Sequence, residues 1–253
     1  MVRGENGKGR RKLVAAAAMI AAFATVSGCR SGLDQAGNIY PLPEASQTIA
    51  TIRLIGESDE IDLTIHGAVV TYAKPQLGTD PPTLFLQAVP EGPAIAIGAH
   101  GMDLLDKRVG DAISIRVTET RMLQGRLHIT DFTDFEVLER NVPFDHLVVD
   151  VSDAPDLVSH SIIWESRIVL VTGTVTGEAV SAGTGYQQME FATQAVESSM
   201  LRLRAPTELL DALSLEPGCE VSAYGIPVWR FENVVQLNPH ELDEIVSWEC
   251  PVE

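Results

Sequence analysis

The feature that most constrains this chain is an internal repeat, one of pattern and segment order rather than of residue identity. "GDAISIRVTETRMLQGRLHITDFTDFEVLER" (110–140) aligns without a gap on "GCEVSAYGIPVWRFENVVQLNPHELDEIVSW" (218–248), at an offset of 108. Upstream, "LTIHGAVVTY" (63–72) lies over "VLVTGTVTGE" (169–178) at an offset of 106, with Gly67 opposite Gly173. "LFLQAVPEGPAIAIG" (84–98) lies over "EFATQAVESSMLRLR" (190–204) at that same offset. The small difference is absorbed between "LLDKRVG" and "LLDALSLEPG". Segments kept in one order with one short length change read as a duplication, so the chain builds the same unit twice.

Each copy reads as five strands. In the first, 63–72, 83–88, 93–99, 112–120 and 126–138 show the apolar–polar alternation of half-buried strands. "KPQLGTDPP" and "PEGP" supply turns between them. A short helix is expected between the third and fourth strands. It is clearest in "PTELLDALSL" (206–215), with Thr207 as N-cap and Leu209, Leu210, Leu213 and Leu215 as its apolar side. Gly67, inside a long first strand, marks the bend a small barrel needs. Three strands, a helix and a hairpin is the order of the OB-fold, and the two copies resemble OB domains over 48–142 and 160–250. The expected fold is therefore all-β, two tandem five-stranded OB-fold-like barrels, each with a short helix between strands three and four. An immunoglobulin-like sandwich would need about seven strands per copy. The stretch 143–159 is expected to be a solvated linker with "LVV" packed on a barrel.

The N-terminal segment fixes an expected location. "MVRGENGKGRRK" is basic, and "LVAAAAMIAAFA" (13–24) is too short to span a bilayer but suits a signal-peptide core. Val26, Ser27 and Gly28 before Cys29 resemble the lipobox of bacterial lipoproteins. The resemblance implies cleavage after residue 28, lipid attachment at Cys29 and anchoring by more than one acyl chain. Arg30 then points to the outer membrane, periplasmic or surface-exposed, under the enterobacterial sorting rule. Arg10-Arg11 keeps twin-arginine export open beside the general route. Residues 29–47 read as a flexible tether.

Charge narrows the partners. The chain has 18 bases and 35 acids, a net charge of −17; residues 1–28 hold five of those bases and one acid, so the remainder reaches −21. A chain this acidic is disfavoured on polyanions, and nucleic acid is not the first ligand expected. Beyond Cys29, only Cys219 and Cys250 remain. An exported compartment invites a disulfide between them, although a hairpin centred near Phe231 places Cys219 opposite about Glu244. Two separate thiols stay open as the alternative.

No nucleophile elbow, HExxH or phosphate-binding glycine loop occurs, and no His lies at ligand spacing from a Cys. Enzyme, cofactor and metal are therefore not expected. OB barrels bind through strands two and three and the loops joining strands one–two and four–five. In the first copy those places hold Tyr72, Lys74, Gln87, Arg121 and Arg126. In the second they hold Met200, Arg202, Arg204, Trp229 and Arg230, expected as one exposed surface unless each Arg merely pairs with an acid such as Glu190. The expected function is a non-catalytic, membrane-anchored module docking a protein or envelope component. A nucleic-acid- or oligosaccharide-binding OB protein is the alternative.

Overall fold

The computed structural model describes residues 40–78, 80–98 and 108–251. The signal peptide, Cys29 and the start of the tether lie outside the described residues, as does 99–107, where the first copy's helix is expected. The first barrel is built from α1 (Pro43–Ile55), β1 (Leu63–Lys74), β2 (Thr83–Gln87), β3 (Ile95–Gly98), β4 (Ala112–Leu123) and β5 (Arg126–Glu139). Then come β6 (Val149–Asp150), α2 (Ser161–Trp164), β7 (Ile168–Val175), β8 (Val180–Ser181), β9 (Tyr186–Thr193) and β10 (Glu197–Pro206). The chain closes with α3 (Thr207–Leu213), β11 (Glu220–Phe231), β12 (Val234–Leu237) and β13 (Ile245–Glu249).

Both barrels have the OB strand order. The first closes as β1-β2-β3-β5-β4, with β3 and β5 parallel. The second closes as β7-β9-β10-β12-β11, with β10 and β12 parallel and β11 back on β7. Their ladders match at the offsets of the repeat. Ile65 faces Ile115 where Val171 faces Ala223, and Ile97 faces Ile129 where Leu203 faces Leu237. The hairpins match too, Leu123 facing Arg126 and Phe231 facing Val234. Gly67 sits at a register shift in β1 with φ of 81°, the backbone bend that lets the strand curl.

Each barrel has its own apolar core, one around Ile65, Leu86, Ile97 and Ile113, the other around Val171, Phe191, Leu203 and Val221. Strands β7 and β9 alternate in burial, but β2 and β3 are buried at every position. Alternation was expected in both; their outer faces are covered as well as their inner ones, so the period disappears.

Three further expectations are corrected. The tether does not extend to residue 47, because Tyr40 is buried and α1 begins at Pro43. Ala45, Ile49 and Ile52, spaced to share one helix face, pack into the first core. Thr207 is the first residue of α3 and not its cap; Pro206 holds that position without a side-chain bond. The linker's "LVV" packs as expected, with Leu147 buried, but the rest is not simply solvated: β6 pairs parallel with β7, and Val151 and Leu157 are buried too.

Cys219 and Cys250 form a disulfide, Cα to Cα 4.0 Å. The expected obstacle is removed by a break in strand five. β12 pairs with the far end of β11, the chain loops out through 238–244, and β13 returns to pair Glu249 with Glu220. The extra residues in the loop shift the register and bring Cys250 level with Cys219.

Candidate ligand site between the barrels

The outer face of β1–β3 is covered by the second barrel. Tyr72, Phe85 and Ala96 form one buried cluster with Ile168 and Trp229, joined by Leu147 from the linker. Around it, loops that are equivalent in the repeat touch each other. Gly78, in the one–two loop of the first barrel, sits against Thr184 in that of the second; a Cβ added there would lie 2.6 Å from the Thr184 carbonyl oxygen. At the four–five turns, the Glu232 N–H donates to the Gln124 carbonyl at 3.3 Å. Thr184 lies 106 residues beyond Gly78, and Glu232 lies 108 beyond Gln124, so like meets like across the junction. That is the pattern of a two-fold, self-complementary interface.

Between these loops lies a cleft of about 550 Å³, with Gln124, Gln188, Arg204, Phe231 and Gln236 in its walls. A recess of about 250 Å³ shares Asp80, Gln124 and Trp229 with it and reaches Thr83 and Arg126. The one–two and four–five loops of both barrels therefore converge on one opening.

The floor is cationic and aromatic. The Arg126 guanidinium stacks on Trp229, 3.2 Å from the ring centroid, and Lys74 Nζ lies 5.6 Å from the same ring. Arg126 is fully buried, and its Nε and Nη2 donate to His128 Nε2 at 3.0 and 2.6 Å. Burial pushes Arg126 down to about 9 and Lys74 down to about 8. Lys74 Nζ is held by the carbonyls of Pro81 and Pro75, at 2.8 and 3.3 Å. Arg204 pairs with Asp80 at 3.0 Å and stacks 3.6 Å over Tyr186.

Beside this floor, His240 bridges the barrels. Its Nδ1 is 2.9 Å from the Tyr72 hydroxyl and its Nε2 3.0 Å from the Tyr186 hydroxyl. Burial, with Lys74 nearby, pushes His240 down to about 3, so the ring is neutral. Burial pushes both tyrosines up, Tyr186 to about 12. On the other side, the buried Glu165 carboxylate is shared by Arg53 of α1 at 3.2 Å and Arg230 of β11 at 2.8 Å.

The expectation of one exposed surface is thus corrected. Leu201 and Leu203 do point inward, placing Met200, Arg202 and Arg204 on one outer face. Of these only Met200 is open, at 38% exposure. Arg202 pairs with Glu190 at 2.7 Å, the acid expected for simple charge balance. Arg204 and Trp229 are buried under the first barrel, and Arg230 is held by Glu165. In the first barrel, Tyr72, Lys74, Gln87 and Arg126 are buried in the same junction. Gln87 is spent on backbone groups, donating to the Leu147 carbonyl at 3.1 Å and accepting from Ile168 N at 3.2 Å. Arg121 stands apart, paired with Glu119 at 2.6 Å and Asp59 at 3.6 Å. Asp80, Gln124, Gln188, Gln236 and His240 were not singled out by the sequence. For Asp80 and Gln124 the signal was their place in the one–two and four–five loops. Among the described residues no cluster of three or more metal-ligating side chains occurs.

No family model matches the chain, and no curated protein is similar to it in sequence. Solved structures are similar in fold. The p204 HINb domain is 12% identical, with 73% of this chain and 93% of that one covered, at a TM-score of 0.33. The Ifi202 HINa domain, solved in complex with a 20 bp dsDNA, is 13% identical, with 76% and 98% covered, at 0.34. A replication protein A heterotrimer bound to ssDNA is 13% identical, with 76% of this chain and 52% of that one covered, at 0.29. At these scores no residue and no activity is carried over from them.

Proposed function

We propose that the chain is a non-catalytic binding module whose ligand seats in the cleft between two OB barrels, and that Cys29 anchors it to a bacterial outer membrane. The observation that carries the site is the convergence of both barrels' one–two and four–five loops on one opening. The lipobox-like Val26-Ser27-Gly28-Cys29 supports the anchor. A protein or envelope component is the first partner considered, because the chain's net charge of −17 opposes polyanions. Nucleic acid or an oligosaccharide is the second reading. It is favoured by Phe231, 40% exposed at the cleft mouth beside Arg204, an aromatic that a base or sugar ring can stack on.

Fluorescence anisotropy with a labelled oligothymidine and a labelled cell-wall oligosaccharide, each over a salt series, tests the site. Saturable binding lost in Phe231→Ala and Gln188→Ala supports the cleft. A steep salt dependence assigns nucleic acid, and a flat one assigns the glycan. Binding unaffected by both substitutions moves the site elsewhere. For the anchor, Cys29→Ala is expected to abolish lipid labelling, and unchanged labelling contradicts it.

A further inference from the structure

We infer that the cleft between the barrels holds an oxyanion, a phosphate group or a carboxylate, bound by Arg126 and Arg204. This deepens the reading of that cleft as the binding site and rests on it.

The first ground is charge that the protein leaves unbalanced. Lys74, Arg126 and Arg204 are all buried around Trp229 and Tyr186. Among the described residues, Asp80 is the one carboxylate within ion-pair distance of any of them, and it pairs with Arg204. Glu165, the other acid acting strongly on Arg126, is already divided between Arg53 and Arg230. A buried charge without a partner costs several kcal/mol, so proteins rarely leave one unopposed. In a chain of net charge −17, acids are abundant, and their scarcity here is not a matter of composition.

The second ground is geometric. Arg126 Nη1 and Arg204 Nη1 are shielded from solvent and have no hydrogen-bond partner. Guanidinium groups only donate, so what both positions lack is an acceptor. Arg204 borders the larger cavity and Arg126 the smaller one, and the two share Asp80, Gln124 and Trp229 in their walls. A ligand reaches them by a side-chain shift at the cleft wall, with the barrels left in place. An oxyanion supplies acceptor oxygens and negative charge together, and such charge-assisted bonds are the strong ones. Water would satisfy the N–H groups but not the charge.

Isothermal titration calorimetry on the full chain tests this, with sodium phosphate and separately sodium acetate, ionic strength held constant with sodium chloride. Saturable binding of at least one anion is expected. Arg204→Gln should weaken it about ten-fold or more by removing a charge-assisted bond. Asp80→Asn should tighten it several-fold, because the carboxylate competing for Arg204 is gone. Preference for phosphate over acetate assigns a phosphate group, and the reverse assigns a carboxylate. No saturable heat with either anion overturns the inference. So does a shift in the same direction for both variants, the mark of residues that only hold the barrels together. Anion binding without any Phe231-dependent binding of larger ligands keeps this inference and overturns the broader one. Larger-ligand binding indifferent to phosphate and acetate does the opposite.

Discussion

His240 shows how much one side chain carries when it sits between two barrels. Buried against Tyr72 and Tyr186, it titrates at about 3 in the folded protein, against 6.5 when unperturbed. Between those values the unfolded chain binds the extra proton, so stability falls as pH drops from about 6.5 toward 3. At about pH 4.5, two units below the unfolded value, this residue alone removes about 2–3 kcal/mol. Urea unfolding at pH 7 and 4.5 is expected to show that difference reduced in His240→Gln; an unchanged difference places the acid sensitivity elsewhere. Gly78 makes a second case. Its φ is 58° and its neighbour is backbone, whereas Gly225, at 71°, has open space around it. Alanine at either position costs about 1 kcal/mol or more in backbone strain. Only Gly78→Ala should also push Thr184 away, so its thermal midpoint is expected to fall further. Equal falls would mean that the two loops do not press together. These residues were hard to single out from sequence, because His240 and Gly78 have meaning only across the junction.

At the scale of elements, the sequence was most informative about order and least about coverage. Duplicated segments at offsets of 106 and 108 correspond to ladders that share register in both barrels, since period-two side-chain placement fixes how strands pair. The same periodicity says which residues share a face but not what covers that face. Hence the sequence puts Met200, Arg202 and Arg204 on one face but carries nothing that shows Arg204 buried there. A signal was present in the first barrel: Leu84–Leu86 and Ile95–Ile97 are unbroken apolar runs without the polar alternation of a half-exposed strand, as expected of strands covered on both sides. Two elements beyond the barrels should matter for stability. The Cys219–Cys250 bond closes a loop with sequence separation 31 and should contribute about 3–4 kcal/mol, read as the loss of denaturant stability in Cys219→Ser with Cys250→Ser. Glu165→Gln leaves Arg53 and Arg230 without their shared carboxylate and should cost about 3 kcal/mol. Replacing all three with Met should cost less than that single change, and a larger loss would show that the ion pairs are not the issue.

For the molecule as a whole, the central claim is that the two barrels use their expected ligand faces on each other and leave the cleft between their loops as the site. The most direct measurement is hydroxyl-radical footprinting of the intact protein, read residue by residue. Trp229, Tyr72 and Phe85 are buried in the junction, whereas Trp248, Tyr224 and Phe231 are exposed by 45%, 37% and 40%. Slow modification of the first three beside fast modification of the last three is the predicted result. Labelling of Trp229 and Tyr72 as fast as Trp248 and Tyr224 would mean that the barrels stand apart with their faces open, and would contradict the account.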